Sequence, residues 1–535
     1  MRGHGGAAAF WSATRKRQGT CVPVAPPVSL PAIAPLPFRL YHRRAPKTLH
    51  GSRQGGSHRE TGVLFNSLTF LVFFAGVLAL HALPLPWKVK KTNLLIASYV
   101  FYGAWSPPFV VLVWISTVLD WYVAKWLYRE ERPARRRGLL FLSLAGNLGI
   151  LGYFKYGEFL LENWQAAMNF IGIAYAPAEW SIVLPVGISF YTFQTMAYSL
   201  DVYLRRERPT ESFLDFALFV TFFPQLVAGP IVRPADLIPQ FAAPPRVTLG
   251  QFVWGLGLVS LGLFQKVVVA DTLLAPSADT VFRAEHALHP LDAWIGVLAF
   301  SGQIFSDFAG YSTTAIGVGL CLGFSLMSNF RYPYAAIGFS DFWRRWHISL
   351  STWLRDYLYI PLGGNRKGPG RTYVNLMVTM LLGGLWHGAS WTFVAWGGLH
   401  GSYLAAERYL TERFSGRRLF GSTASRIALA LLTYTLVLIT WVFFRAQDFP
   451  AAWLLLRSMF GAAGEGEPVL YWNGIAAVAA VTVVMLATHW RMRDTTLEAV
   501  VERTPAWIIA AVWAAMLFGV ITTQGSGDAF IYFQF

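Results

Sequence analysis

One histidine in this chain of 535 residues lies where its side chain could act as a base. His387 falls within a long apolar run, in the segment Gly383-Gly384-Leu385-Trp386-His387-Gly388. An ionisable side chain at membrane depth is costly to bury and therefore indicates a functional site. Burial disfavours the charged imidazolium, so we expect His387 to stay neutral and able to accept a proton. The flanking glycines would leave room for a substrate beside the backbone. The alternative is a core histidine that is hydrogen-bonded to a neighbouring helix.

A second histidine, His347, lies in a polar stretch, residues 341–358, that is too charged to cross a bilayer. At helical spacing its large apolar side chains fall on one side, and its charged side chains spread over the rest. Tryptophan and tyrosine favour the headgroup region of a membrane. The stretch therefore predicts a helix that lies at the interface or dips into it. The apolar side consists of Phe342, Trp346, Leu350, Trp353 and Tyr357.

Residues 361–368 form a basic, glycine-rich turn that contains Arg366 and Lys367. These cations, together with free backbone N–H groups, could bind the phosphates of an anionic cofactor. The favoured explanation is simpler: cytoplasmic loops of membrane proteins are enriched in lysine and arginine. Both interpretations stay open.

Six further polar residues occur in apolar surroundings, where such side chains usually hold helices together or anchor them at the interface. Asp307 is singled out, because a carboxylate in its segment could orient a histidine or bind an acceptor. The sequence contains no serine-hydrolase, P-loop, metalloprotease or metal-spaced histidine motif. Its two cysteines, Cys21 and Cys321, cannot build a disulfide framework or a thiolate metal site. The six residues are Gln194, Gln225, Lys266, Asp271, Gln303 and Asp307.

The composition places these residues in a membrane protein. Hydrophobic residues make up 55% of the chain and charged residues only 13%. Soluble domains carry about 25% charged residues, so this chain could not solvate the surface of a protein of its size. The sequence therefore predicts an all-α, polytopic transmembrane protein, and it excludes a soluble enzyme, a disordered chain and a nucleic-acid-binding protein. Much of the net charge of +16 lies in the first sixty residues.

The apolar runs predict about 11 to 13 membrane segments, because a helix needs about 20 apolar residues to cross a bilayer. The runs at 291–325 and 373–408 are too long for one crossing, so each could contain two short helices or a re-entrant piece. Basic clusters near Lys90, Arg135 and Arg206 predict three cytoplasmic loops. Glu158 and Glu162 are then expected on the opposite side. The candidate segments are 64–82, 92–106, 108–127, 139–155, 183–204, 213–228, 250–273, 291–325, 373–408, 425–445, 468–488 and 506–523.

Residues 1–62 carry ten lysines or arginines against one acidic residue and show no helical period. They predict either a disordered basic tail or a stretch that is not translated. Val63 opens the first membrane segment abruptly, and a GTG start codon read as an internal codon would give valine. A basic tail outside the cytoplasm would also conflict with the charge rule, by which lysine and arginine concentrate on the cytoplasmic side of a membrane protein. A false extension is therefore the favoured explanation, and residues 63–535 form the expected membrane domain.

Four blocks together resemble the membrane-bound O-acyltransferase family, in its bacterial alginate O-acetyltransferase-like branch. The resemblance extends from about residue 63 to the C-terminus, and the last two blocks, with two histidines 40 residues apart, are the most specific. One block departs from the pattern: Gly310-Tyr311-Ser312 is followed by Thr313, where relatives often have aspartate. The role of that aspartate is therefore in doubt here. The four blocks are 184–194 (LPVGISFYTFQ), 222–231 (FFPQLVAGPI), 341–365 and 385–388 (LWHG).

The resemblance implies acyl transfer from a cytoplasmic thioester to a hydroxyl, in a central tunnel through the helical core. His387 matches the essential histidine of the family and His347 its second position, which gives two catalytic candidates. Acetyl-CoA is the implied donor, with no permanently bound cofactor and no metal. Arg366 and Lys367 remain candidates for binding that donor. The candidates for contacting substrate or lining the tunnel are Asp307, Trp386, Gln194, Trp346 and Ser349.

The expected function is O-acetylation of an exopolysaccharide such as alginate by a multi-pass protein of the bacterial inner membrane. The implied partners are the lipid bilayer, the polysaccharide acceptor and periplasmic acetyltransferase or polysaccharide-processing proteins, with no nucleic acid. One alternative is the D-alanyl-transferring branch, which modifies teichoic acids and whose members are shorter. Another is a non-catalytic transporter or export channel, although the sequence shows no repeated halves.

Overall fold

A computed structural model describes residues 65–177, 182–414 and 422–523, and these residues are helical almost throughout. No β-strand occurs within these ranges; Leu288 and Glu467 form one isolated bridge. The all-α prediction is therefore confirmed. Residues 1–62, for which the sequence predicts a tail or a false start, lie outside the described residues.

Within the described residues, eight α-helices build the N-terminal half, and their aromatic side chains contribute to one large buried core. Ser67 begins the first helix by accepting a hydrogen bond from the N–H of Phe70, at 3.1 Å. The helices are α1 (Leu68–Ala82), α2 (Trp87–Gly103), α3 (Pro107–Arg129), α4 (Pro133–Phe170), α5 (Ile188–Tyr203), α6 (Phe213–Thr221), α7 (Phe223–Leu226) and α8 (Pro234–Leu237).

Twelve α-helices follow in the part of the chain that the structure describes, and most of them surround a second buried core. A π-helical stretch, Phe264–Leu274, joins the first two without a break. The helices are α9 (Leu249–Leu263), α10 (Ala275–Phe282), α11 (Pro290–Cys321), α12 (Phe339–Arg345), α13 (Ile348–Leu354), α14 (Pro369–His387), α15 (Trp391–Arg413), α16 (Thr423–Arg445), α17 (Phe449–Met459), α18 (Trp472–Met492), α19 (Leu497–Arg503) and α20 (Ala506–Thr522).

Five of these helical stretches are long and apolar enough to cross a bilayer, so the chain is a multi-pass membrane protein. The shorter helices α1 and α20 are apolar as well. The total of 11 to 13 membrane segments stays a prediction. The five stretches are Pro107–Arg129, Pro133–Phe170, Leu249–Phe282, Thr423–Arg445 and Trp472–Met492.

The two overlong apolar runs have different outcomes. The run at 373–408 contains two helices, α14 and α15, which are separated at Gly388. The run at 291–325 is expected from the sequence to be divided. This expectation is wrong, because α11 is one unbroken helix of 32 residues. Most residues of α11 are buried along its whole length, so its length reflects packing within the protein as well as the thickness of a bilayer.

The three predicted cytoplasmic clusters lie at one end of the N-terminal helices. Arg136, at the start of α4, donates to the carbonyl oxygen of Tyr203, at the end of α5. Arg205 donates to the carbonyl oxygen of Tyr128, near the end of α3, at 2.7 Å. Lys91, near the start of α2, forms an ion pair with Asp215, near the start of α6. The structure therefore groups these loops as the charge rule predicts.

Candidate active site

His387 is the last residue of α14, and it lies where the two buried cores meet. Gly388 follows it with φ −159° and ψ 150°, so the backbone leaves the helix directly after the histidine. The side chain is buried, since the residue is only 3% exposed. Its ring centroid lies 5.1 Å from that of Trp386 in the first core and 5.0 Å from that of Trp396 in the second. The imidazole is therefore held in an aromatic cage.

His347 lies beside His387, with 6.2 Å between the two ring centroids. It is fully buried, and it separates α12 from α13 with a left-handed backbone at φ 42°. The expectation of one continuous interfacial helix is therefore wrong at this residue. Side chains other than glycine adopt this conformation only at an energetic cost, which is often found at functional sites. The break turns the His347 ring into the protein core.

Asn329 holds His347 in this position. The carbonyl oxygen of Asn329 accepts the N–H of Ile348 at 2.9 Å. Its side-chain oxygen accepts the N–H of Ser349 at 3.2 Å and the hydroxyl of Ser349 at 2.8 Å. A backbone N–H can only donate, so the side-chain atom that it contacts is Oδ1 of Asn329. Asn329 also donates to the hydroxyl of Ser312 at 3.2 Å.

These contacts define the tautomer of His347. Nδ1 of His347 lies 3.3 Å from Oδ1 of Asn329, which can only accept, so Nδ1 carries the proton. Nε2 of a neutral His347 then carries a lone pair. No hydrogen-bond partner for this Nε2 atom occurs among the described residues. The geometry therefore leaves Nε2 available to accept a proton or a hydrogen bond.

Two side chains from α4 cap the end of α14. Lys155 donates to the carbonyl oxygens of Trp386 and His387, at 2.6 and 3.1 Å. Tyr156 donates to the carbonyl oxygen of Leu385 at 2.9 Å. The last carbonyls of a helix have no partner within the helix, and a left-handed glycine commonly supplies one. Gly388 is extended instead, so α4 fulfils this role.

A small pocket, with a volume of about 70 Å³, opens beside His387. Residues 184–190, the loop before α5 and its first turn, form one wall. Gly187 has φ +73°, and an added Cβ would lie 2.7 Å from the carbonyl oxygen of Leu226, so the turn requires glycine. Lys155, Trp386 and His387 form the opposite wall. A substrate in this pocket could reach the imidazole.

Of the predicted tunnel residues, Trp386 packs against both histidines. Trp386 packs on Phe190 and Phe193 of α5, and its ring centroid lies 5.9 Å from that of His347. Its indole N–H has no hydrogen-bond partner among the described residues. Gln194 follows Phe193 on α5 and is almost fully buried. These contacts place α5 against the active-site end of α14.

Three other predicted residues have different surroundings. Ser349 contacts Asn329, as described, and its hydroxyl lies 3.5 Å from Nδ1 of His347. Trp346 packs in the second core, against Phe342 and Trp441. Asp307 forms an ion pair with Lys266 at 2.5 Å, although its neighbour Phe308 packs on His347. The structure therefore brings Ser349 to the site and directs Asp307 to a lysine.

The basic turn lies far from the histidines. Arg366 and Lys367 are exposed and directly precede α14, whose 19 residues end at His387. At 1.5 Å per residue, α14 separates them from His387 by about 27 Å. They could contact only a remote part of a substrate whose reacting atom lies at His387.

The glycines around His387 serve helix packing and leave no open space beside the backbone. A Cβ at Gly384 would lie 2.2 Å from the carbonyl oxygen of Phe393, and a Cβ at Gly388 would lie 2.1 Å from the ring of Phe393. A Cβ at Gly397 would lie 2.2 Å from the carbonyl oxygen of Met380. The expectation that these glycines admit a substrate is therefore wrong, because α15 fills this space.

Two residues of the site were missed by sequence reasoning. Lys155 lies at the end of the candidate segment 139–155, and a lysine at the edge of an apolar run was a signal that could have been followed. Asn329 gives no comparable signal, because it lies in an irregular stretch. In the part of the chain that the structure describes, no three His, Cys, Asp or Glu side chains gather to hold a metal ion.

The amino-acid sequence is similar to those of several named acyltransferases. The model of the membrane-bound O-acyltransferase family matches residues 203–446, which include both histidines. A probable alginate O-acetylase of Azotobacter vinelandii is 42% identical over 74% of this chain and 78% of its own length. A peptidoglycan O-acetyltransferase of Helicobacter pylori is 39% identical over 75% of this chain and 80% of its own length. A teichoic acid D-alanyltransferase of Streptococcus thermophilus is 29% identical over 40% of this chain and 55% of its own length. The chain belongs to the membrane-bound O-acyltransferase family.

Proposed function

We propose that this membrane-bound O-acyltransferase moves an acetyl group from acetyl-CoA on the cytoplasmic side to a polysaccharide hydroxyl on the outer side of the bacterial inner membrane. The observation that carries the proposal is the pair of buried histidines, 6.2 Å apart between ring centroids, beside a pocket that His387 lines. The names of the similar proteins support O-acetylation of a glycan.

The reaction needs a base, because the pKa of an alcohol is far too high for it to attack a thioester unaided. His387 accepts the hydroxyl proton while the oxygen forms a bond to the acyl carbon. The C–S bond then breaks, and the proton passes to the leaving thiolate. General-base catalysis contributes typically about 10²–10⁴-fold to the rate. Alignment of both substrates in a site shielded from water supplies more.

His347 has a supporting role in this proposal. Its Nε2 lone pair can accept a hydrogen bond from a second hydroxyl of the acceptor sugar, which would orient the attacking hydroxyl toward His387. The indole N–H of Trp386 is available to donate to the thioester carbonyl, where negative charge develops. Each of these groups has the hydrogen-bonding character that its role requires.

The acceptor is proposed to enter through the pocket lined by residues 184–190, because Lys155, in its wall, lies about 33 Å along α4 from the basic end of that helix. Arg366 and Lys367 are proposed to bind the phosphates of the donor at the cytoplasmic surface. Periplasmic proteins that process the polysaccharide are the proposed partners. Alginate or a related exopolysaccharide is the first candidate acceptor. Peptidoglycan is the second, because a relative of almost equal identity is named for it.

The D-alanyl-transferring branch is less well supported, since the teichoic acid relative matches 40% of this chain at 29% identity. A transporter or channel would need neither a catalytic base nor an acyl donor. Loss of O-acetyl groups on removal of one imidazole would distinguish acyl transfer from both alternatives.

The test is the O-acetyl content of the exopolysaccharide and of purified peptidoglycan, measured by proton NMR in the wild-type strain and in a His387→Ala strain. We expect acetyl groups to disappear from one of the two polymers, with the polymer yield and the amount of membrane-bound protein unchanged. The polymer that loses acetyl identifies the acceptor. Unchanged acetylation of both polymers would refute the proposal.

His489→Ala is the matched control. His489 is also buried, and its Nδ1 accepts the N–H of Tyr334 at 3.3 Å. Its ring packs on Phe305 and Tyr334, and it does not line the pocket. This variant should lose stability and retain acetylation per folded molecule. If it abolishes acetylation as His387→Ala does, at equal protein levels, the assigned role of His387 is wrong.

A further inference from the structure

Lys155 occupies an unusual electrostatic position. It lies in a membrane-spanning helix and is partly buried, and no carboxylate forms an ion pair with it among the described residues. Its ammonium group instead contacts the C-terminal carbonyls of α14. The C-terminus of a helix carries partial negative charge, so it attracts a cation. Removing the lysine would leave two carbonyl oxygens without these charge-assisted hydrogen bonds.

The same ammonium group connects three elements around the pocket. It lies on α4, donates to two residues of α14, and approaches the hydroxyl of Ser189, in the first turn of α5, at 3.4 Å. Its Nζ atom also lies 5.6 Å from the ring centroid of Trp386. Lys155 and Ser189 both line the pocket beside His387.

We propose that Lys155 is a positioning residue for acyl transfer: it fixes the backbone of His387 at the end of α14 and thereby aims the imidazole into the pocket. This inference rests on the proposed function. His387 is the terminal helical residue, and the following residue is extended. The carbonyl oxygen of His387 therefore has no partner within α14, and Lys155 holds it with a hydrogen bond of 3.1 Å.

The magnitude of the effect follows from the geometry. A misplacement of about 1 Å in a catalytic group can cost about 100-fold in rate. A lysine that only positions the base should therefore influence kcat, with little effect on the KM for either substrate. A lysine that binds the acceptor should influence KM instead. A lysine that only stabilises the fold should influence the amount of folded protein.

The experiment compares Lys155→Met, Lys155→Arg and Lys125→Met in the native host. Methionine retains the apolar length of the side chain and removes the donors, whereas arginine retains a cationic donor. Lys125 is the matched control, since it is a partly buried lysine of α3 whose Nζ lies 3.8 Å from the ring centroid of Trp121, and it does not line the pocket. The first measurement is O-acetyl content per membrane-bound protein. We expect strong loss for Lys155→Met, partial recovery for Lys155→Arg and no change for Lys125→Met.

The second measurement is steady-state kinetics of detergent-purified protein, with acetyl-CoA as donor and the deacetylated polymer of the host as acceptor. For Lys155→Met we expect kcat to fall about 100-fold, with each KM within about threefold of wild type. Lys155→Arg should recover at least about a tenth of the wild-type kcat. A raised KM with unchanged kcat, or wild-type kcat in the folded fraction, would overturn the positioning role.

The two proposals fail in different ways. If the wild-type protein transfers no acetyl group in the cell and from acetyl-CoA, the proposed function fails and this inference fails with it. If the wild type is active, His387→Ala is inactive and Lys155→Met retains full activity, only the role of Lys155 is refuted.

Discussion

Asn329 determines the ring orientation of His347, and this contact can be tested by a single substitution. In Asn329→Ala, the Nδ1–H of His347 loses the acceptor at 3.3 Å and keeps only the Ser349 hydroxyl, at 3.5 Å. A poorly satisfied buried donor costs up to about 1–3 kcal/mol, so the ring is expected to rotate or to change tautomer. We expect the rate of acetyl transfer to fall about 10- to 100-fold. The measurement is O-acetyl content per membrane-bound protein.

Two further variants make this prediction specific. Asn329→Asp retains an acceptor for the Nδ1–H, so it should keep more activity than Asn329→Ala. Asn147→Ala removes a different buried asparagine, which donates to Asp120 at 2.7 Å and contacts neither histidine. It should lower the thermal stability and preserve activity per folded molecule. Equal losses of activity in Asn147→Ala and Asn329→Ala would contradict the role of Asn329.

Sequence reasoning identified the two histidines and missed the residues that hold them. A histidine in an apolar run is conspicuous because its burial is costly. The contact from Asn329 to His347 spans 18 positions, and that from Lys155 to His387 spans 232. Residue types and spacing carry no information about such partners, because the fold alone brings them together. Asp307 illustrates the same limit, since its partner Lys266 lies on the preceding helical stretch.

At the level of elements, the packing of α14 against α15 depends on Gly384 and Gly397. In Gly384→Ala, the new Cβ would lie 2.2 Å from the carbonyl oxygen of Phe393 and 3.1 Å from Cα of Gly397. The backbone atoms cannot move away as a flexible side chain could, so the two helices must separate. Overpacking of this kind costs typically about 1–3 kcal/mol. We expect a lower unfolding temperature in detergent and reduced acetylation, because α14 carries His387.

Gly370→Ala is the control on the same helix. Nothing lies within 4 Å of a Cβ at Gly370, and alanine is a better helix former than glycine. This variant should unfold at the wild-type temperature or above it and retain full acetylation. If Gly384→Ala and Gly370→Ala unfold at the same temperature, the close approach of α14 and α15 does not limit stability.

The helices themselves were largely predictable, because long apolar runs have few alternatives in a membrane. The breaks within helices were harder to predict. The apolar side of residues 341–358 fits one continuous helix, yet the left-handed backbone of His347 divides it into α12 and α13. Hydrophobic period reports which side of a helix is buried and gives no signal for a single residue that reverses the sign of φ. The predicted apolar side is correct, since Phe342, Leu350 and Trp353 are buried.

At the scale of the whole molecule, two helices place the site far from the basic loops. Lys155 follows the start of α4 at Pro133 by 22 residues, or about 33 Å at 1.5 Å per residue. His387 lies about 27 Å from the basic turn along α14. The hydrocarbon region of a bilayer is about 30 Å thick. If the basic loops face the cytoplasm, Lys155 and His387 therefore lie near the outer side of the bilayer, and we expect the pocket beside them to open there.

This orientation predicts which side of the membrane can label the pocket. In a background in which Cys21 and Cys321 are replaced by alanine, Ser189→Cys places a thiol in the pocket wall, and Lys367→Cys places one in the basic turn. A membrane-impermeant, anionic thiosulfonate added to intact spheroplasts should modify Ser189→Cys and abolish acetylation. It should modify Lys367→Cys only after the membrane is opened, because this orientation places that thiol at the cytoplasmic surface. Modification of Lys367→Cys in intact spheroplasts, or protection of Ser189→Cys until lysis, would show that the pocket faces the cytoplasm and is the route of the donor.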